Sequence, residues 1–167
     1  MKLRHILGSL ALASAAPAAL AGGFTVQGGK LDDITRYSLG YTADPIYENG
    51  NFQIVPVYEL ARFHRDHDDG AGGNRTLYQA SAVPMLRYRL GSSWYVEGGV
   101  GVSLFNHTQI GDKRISTAFQ FSDHIGFGVR INRSLSIAYR FSHFSNASIR
   151  KPNPGINSQA IVLTMSY

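Results

Sequence analysis

The chain has no cysteine, and charged residues make up only 16% of its 167 positions. The first absence excludes a disulfide framework, a cysteine-ligated zinc site and a thiol nucleophile. The second sets the chain apart from soluble domains, in which about 25% of residues are charged. Positive charges exceed negative ones by five; Lys2 and Arg4 belong to an apparent leader, and removing those two from +5 leaves +3. An excess that mild and scattered does not make a nucleic-acid surface. Beyond the leader no apolar run reaches 18 residues, which excludes a membrane-spanning helix.

What is present starts with M-K-L-R-H, an apolar stretch over residues 6–20, and Ala19-Leu20-Ala21 ahead of Gly22. A basic start, an apolar middle and an A-x-A site are the order of a secretory signal peptide. We therefore expect residues 1–21 to be removed and residues 22–167 to form one domain. That domain alternates at period two in segments suited to tilted membrane strands, which need about 9–11 residues to cross. The segments are 34–43, 52–63, 77–90, 93–105, 115–131, 134–144 and 158–167, and a shorter one at 23–28 makes eight. Connections 64–76 and 106–114 are long and polar, whereas 91–92 and 132–133 are very short; 44–51 is longer than the alternation wants. Short turns at one end and long loops at the other are the habit of an eight-stranded antiparallel transmembrane β-barrel of the Gram-negative outer membrane.

The two phases differ in composition. Trp94, Val96, Val100, Val102 and Leu104 share one phase, and Tyr95, Glu97, Gly99, Gly101 and Ser103 the other. Glu59, Arg87, Arg89, Glu97 and Arg140 all fall on the smaller-residue phase, where they can pair inside a barrel. A soluble lipocalin-type barrel would place its apolar phase inside instead. Eight strands enclose a space that side chains fill, so the expected barrel is packed and not a pore. The G-G-V-G stretch at 98–101 is strand glycine, not a phosphate loop, because no helix follows.

Chemistry concentrates in the penultimate strand. Leu135, Ile137, Tyr139 and Phe141 occupy its apolar phase, and that phase continues into His143 and Ser145. Both are expected to face outward. The nine residues from Ser134 to His143 climb about 23 Å at ~3.3 Å each and a tilt near 40°, close to the ~25 Å apolar band. The pair then sits at the outer interface, on one strand face, with a base and a nucleophile in reach of one another.

The segment H-F-S-N-A at 143–147, with K-P-N-P-G-I at 151–156, resembles the signature of the PagL-type lipid A 3-O-deacylases. Similarity is strongest over residues 139–155 and weaker over the leader and 119–130. The resemblance implies a cofactor-free outer-membrane serine esterase that removes the acyl chain at position 3 of lipid A, with no metal. It implies His143 as general base, Ser145 as nucleophile, and Asn146 and Asn153 forming or supporting the oxyanion site. The family's triad acid falls twelve residues after the serine, and here that position is Asn157, whose amide oxygen can orient an imidazole but stabilises its cation less than a carboxylate does.

Asp123 is the second candidate acid. Strict alternation puts it on the outward phase with Phe121 and Ile125, and pairing across the 132–133 turn would then set it near Phe141 and diagonal to His143; the preferred reading is instead a phase slip at a bulge that turns Asp123 into the lumen toward an arginine. Arg150 and Lys151, in the last long loop, are candidate contacts for lipid A phosphate. The H-R-D-H-D-D-G run at 64–70 misses the calcium-loop spacing and reads as a solvated loop, with a weaker reading as a lipopolysaccharide contact through divalent cations. Partners expected are lipopolysaccharide and outer-membrane lipid, not nucleic acid; the oligomeric state is open, with a homodimer among the options. Two rivals stand beside the esterase: a structural or adhesive eight-stranded barrel, which loss of the triad carboxylate favours, and a palmitoyltransferase-type barrel, which the H-F-S-N-A strand opposes.

Overall fold

The computed structural model describes residues 22–66 and 73–167; the expected leader and residues 67–72 lie outside them. Eleven strands run in chain order: β1 Gly23–Leu31, β2 Ile34–Thr42, β3 Tyr47–Asn49, β4 Phe52–Arg65, β5 Thr76–Leu90, β6 Trp94–Phe105, β7 Gln109–Ile110, β8 Lys113–Arg114, β9 Phe119–Arg130, β10 Leu135–Ser145 and β11 Ile156–Ser166. The sheet order is β2-β1-β11-β10-β9-β6-β5-β4, and an added β2–β4 pairing joins its ends into a closed, wholly antiparallel eight-stranded barrel. Closure leaves no open edge, so every ladder group can be satisfied without water, as a bilayer requires.

The phases separate as expected. Val100, Leu60, Leu39 and Ile125 are more than 60% exposed, while Glu59, Glu97, Arg140 and Gln79 are nearly inaccessible. On the outward phase of the eight barrel strands, charged side chains occur only at Lys30, Arg62 and Asp123. Inside, Arg140 donates to Glu97 at 2.7 Å and Arg87 to the same carboxylate at 2.9 Å. Arg36, which the sequence reading passed over, pairs with Glu59 at 3.2 Å. Arg89 sits at the short-turn mouth with Glu48.

Three details differ from the sequence expectation. The connection 44–51 is not a long turn: after a break at Asp44-Pro45 the chain resumes as β3, which pairs along the lower part of β4. Proline's missing N–H interrupts the ladder there, and Gly50, at φ +59°, closes the hairpin. The segment 115–131 is not one strand; β9 begins at Phe119 and the residues before it lie over the long-loop mouth, behind the small β7–β8 hairpin. The lumen is not uniformly small or polar. At the loop end Phe63, Phe105 and Phe144 meet with ring centroids 5.6–5.7 Å apart, joined by Leu77, Ile110, Ile115 and Ile156. The Arg36 guanidinium lies 5.4 Å from the Phe63 ring and 5.7 Å from the Phe144 ring, below this apolar plug. Such cation–aromatic contacts gain strength where water is excluded.

Candidate active site

The phase of β10 is locked by what lies between its two reactive side chains. Phe144 is completely buried in the plug, so its neighbours must point the other way. His143 and Ser145 are half-buried on the outer wall, as the alternation of the strand predicted. Turning this strand over would expel Phe144 from the plug and forfeit about 1.5–3 kcal/mol of burial.

His143 is flanked on both sides. In the β10–β11 register it faces Asn157, and its Nδ1 lies 2.6 Å from Asn157 Oδ1. Since that oxygen only accepts, Nδ1 carries the proton and Nε2 is left with a lone pair, the tautomer of a general base. In the β10–β9 register His143 faces Asp123 directly. The expected diagonal placement is therefore corrected. The β9–β10 turn takes one more residue, Ser134, than a 132–133 turn would: Ile131 and Asn132 both bond to Leu135, and the Ser134 N–H donates to Asn132 Oδ1 at 2.8 Å. Asp123 shares the outward phase of Phe121 and Ile125, not the buried phase of Ser122 and His124, so the preferred lumenal reading is corrected: no bulge shifts the alternation of β9.

The other edge of the imidazole rests on Gly155. A Cβ built on Gly155 would lie 2.6 Å from His143 Cε1, 3.3 Å from Nε2 and 3.0 Å from the Phe144 carbonyl oxygen, and its φ is +68°. Only glycine fits both the left-handed backbone and the ring above it. Gly155→Ala is expected to displace the imidazole and lower turnover about 100-fold, the scale of a 1 Å misplacement, with the barrel still folded. Turnover by purified protein in detergent checks this; a rate equal to that of the parent would contradict the fit described here.

The loop that follows β10 is held by its own amides. Asn146 is buried, and its Nδ2 donates to the Arg150 carbonyl at 2.9 Å and the Ile115 carbonyl at 3.1 Å. Both amide hydrogens are thereby committed, so this side chain braces the loop and has no donor left for an oxyanion. Asn153 Oδ1 accepts from the Asn146 N–H at 3.1 Å, and its Nδ2 has no hydrogen-bond partner among the described residues. Ser116 Oγ donates to the Pro152 carbonyl at 2.6 Å, tying the loop to the segment before β9. Sequence reasoning missed Ser116 and the bracing role of Ile115, because no period or motif marks a contact between segments some thirty residues apart. Arg150 and Lys151 are exposed on the same loop. No hydrogen bond joins Ser145 to His143. The 64–70 run is taken up where it is described: Asp66 pairs with Lys30, and Arg65 with Asp33 and Asp112. Residues 67–70 of the run lie outside the described part.

The family model described as "Lipid A 3-O-deacylase (PagL)" matches residues 35–166. Over 165 residues the chain is 36% identical to the lipid A deacylase PagL of Bordetella bronchiseptica, covering 95% of this chain and 90% of the relative. The chain belongs to the PagL family. The PagL of Pseudomonas aeruginosa is 27% identical over 158 residues, covering 91% of this chain and 87% of its own. Among solved structures, the crystal structure of the outer membrane enzyme PagL superposes with a TM-score of 0.70 at 22% identity, covering 87% of this chain and 99% of that one. The Yersinia pestis outer membrane protein Ail shares the barrel at a TM-score of 0.56 and 8% identity, over 87% of this chain and 99% of its own. The PagL-family barrel described here is accordingly an outer-membrane one, with its apolar phase toward lipid. The family signature at 143–147 and the outward wall coincide at one place, the loop end of β10.

Proposed function

We propose that this chain is a lipid A 3-O-deacylase that works through a serine acyl-enzyme. The observation that carries the reading is the imidazole of His143, on the outer wall, held by Asn157 in the tautomer a base needs, with Ser145 next on the same face. His143 Nε2 takes the Ser145 proton while Oγ attacks the ester carbonyl of the chain at position 3. The tetrahedral oxyanion collapses, the sugar oxygen leaves with the proton from His143, and water hydrolyses the acyl-serine by the same route. Catalytic hydrogen bonds commonly tighten only once substrate is bound, so the missing Ser145–His143 bond does not oppose this role. Asn153, with its free Nδ2, is the side-chain donor to the oxyanion, and Asn146 holds it in place; Arg150 and Lys151 contact lipid A phosphate.

The two neighbours of His143 divide the work of a triad acid. Asn157 orients the ring, and Asp123, with no ion-pair partner among the described residues, supplies charge from the other side. Asn157→Glu restores a carboxylate at the hydrogen-bonded position and is expected to raise the rate about tenfold or more, given the large cost of the reverse change in other triads. Asp123→Asn is expected to lower it by a smaller factor. Rates of the purified variants check both; a loss of activity in Asn157→Glu would remove Asn157 from the triad.

The reading as a whole is tested by mass spectrometry of lipid A from Gram-negative cells expressing the full chain. The expected product lacks one hydroxyacyl chain, the one at position 3. Unchanged lipid A, with the barrel folded in the outer membrane, would leave the structural-barrel alternative standing.

A further inference from the structure

The wall opposite the His143 strand carries a second feature. Strands β10 and β11 lie across the ring from β4 and β5, and there an apolar furrow of about 790 Å³ opens on the outer surface. Its floor is Ala80, the small member of the row Leu39–Leu60–Ala80–Leu104 that the ladder registers set side by side. One row higher, toward the long loops, the registers place Arg62 between Tyr37 and Tyr78. All three are exposed, and all lie within three residues of the loop ends of their strands.

Arg62 is unlike the other outward charges. Lys30 pairs with Asp66, and Asp123 belongs to the site already described. Among the described residues Arg62 has no carboxylate partner, and its Nη2 reaches only the ring nitrogen of His64, at 3.4 Å. An unneutralised guanidinium on a lipid-facing wall is costly unless it lies at the headgroup level and meets an anion. Two tyrosines beside it mark that level, since amphipathic rings collect at the interface.

We propose that this furrow is a second, non-catalytic lipid A site, in which acyl chains lie over Ala80 and a lipid A phosphate is held by Arg62 between Tyr37 and Tyr78. Arginine suits the phosphate because its planar fork can make two charge-assisted hydrogen bonds. A second copy of the chain is the poorer occupant, because a two-fold contact centred on this furrow would bring Arg62 against Arg62. The inference rests on the outer-membrane placement and on lipid A as the headgroup at that level, but not on turnover.

Binding is read by native mass spectrometry of the full chain in neutral detergent, with Ser145→Ala as background so that the lipid stays intact. The probes are bisphosphorylated lipid A, the same lipid A without phosphates, and phosphatidylglycerol. The barrel is expected to bind two bisphosphorylated lipid A molecules, one at each wall. Adding Arg62→Gln should weaken the second binding step about tenfold, the scale of one charge-assisted contact, and phosphate-free lipid A should bind both proteins at that weaker level. Ala80→Leu, which fills the floor and leaves the charge in place, should also weaken the second step. With Ser145 intact, Arg62→Gln should deacylate at the parent rate. Equal binding by Arg62→Gln, equal binding of phosphatidylglycerol, or a protein dimer that Ala80→Leu disperses would each overturn the proposal. Because the readout is bound mass, its failure is separate from failure of the deacylase reading.

Discussion

Ser145→Ala is expected to abolish lipid A deacylation, by about 10³–10⁵-fold, with the barrel unchanged. The size follows from what the alanine removes. A serine esterase without its nucleophile keeps only binding and oxyanion contacts, and single losses from a unit of this kind are nearly as costly as losing the whole unit. The fold should not notice: Ser145 Oγ makes no hydrogen bond among the described residues, and such outer-wall changes fall within about 0.5 kcal/mol. His143→Ala should cost a similar factor, and the double variant little more than either single one, since each residue is idle without the other. The measurement is the rate at which a hydroxy fatty acid is released from lipid A by purified, folded protein. If Ser145→Ala kept the parent rate, another residue would be the nucleophile, whereas additive losses in the double variant would mean that His143 and Ser145 act independently. The orienting amide sharpens the expectation. With Asn157 and not a carboxylate on Nδ1, the starting rate is itself reduced, so the fold-loss should be larger in an Asn157→Glu background than in the native one.

The outward face of this site was legible in the sequence because period two is a strict rule: once Leu135, Ile137 and Phe141 face lipid, His143 and Ser145 must follow. Composition alone separated Val100 from Glu97. Position along and across the barrel was not legible in the same way. Whether Asp123 faces Phe141 or His143 depends on a turn lengthened by the Asn132 side chain and the Ile131–Leu135 bonds, which alternation does not encode. Period two also says nothing of height, so Phe63, Phe105 and Phe144 could not be seen as one plug at the loop end. Pro45 hid the continuation of β2 into β3 because a ladder break reads locally as a turn. Asn146 looked like a catalytic amide by its place in H-F-S-N-A, yet its hydrogens go to Ile115 and Arg150. Gly155 stands in the sequence only as the last residue of P-N-P-G, and its use appears only where His143 lies across it.

The largest effect on stability is expected at Glu97, within the middle of the lumen. Its side chain is inaccessible, and it holds two arginines: Arg140 through Nη2 at 2.7 Å and Nε at 3.0 Å, and Arg87 through Nη2 at 2.9 Å. Arg140 is almost as deeply buried. Glu97→Leu keeps the volume roughly but leaves the Arg140 cation with only Glu59, at 3.9 Å and already engaged by Arg36 and Ser38. Breaking a buried pair from one side costs about 3–5 kcal/mol, chiefly the penalty of the charge left behind. Arg87 adds less, since its side chain is 20% exposed and can turn to water at the short-turn mouth. Removing both partners of the main pair avoids the orphan, so Glu97→Leu with Arg140→Leu should be less destabilised than the sum of the two single changes, a coupling a double-mutant cycle reads directly. Equilibrium unfolding in urea with lipid vesicles present provides the values. Additive losses would mean that the two side chains are held by the surrounding strands and not by one another. His143 and Ser145 stand on the same β10 that carries Arg140 on its inner phase, so the cycle is best run beside the turnover assay. A barrel loosened at Arg140 should lose activity only as it loses folded protein.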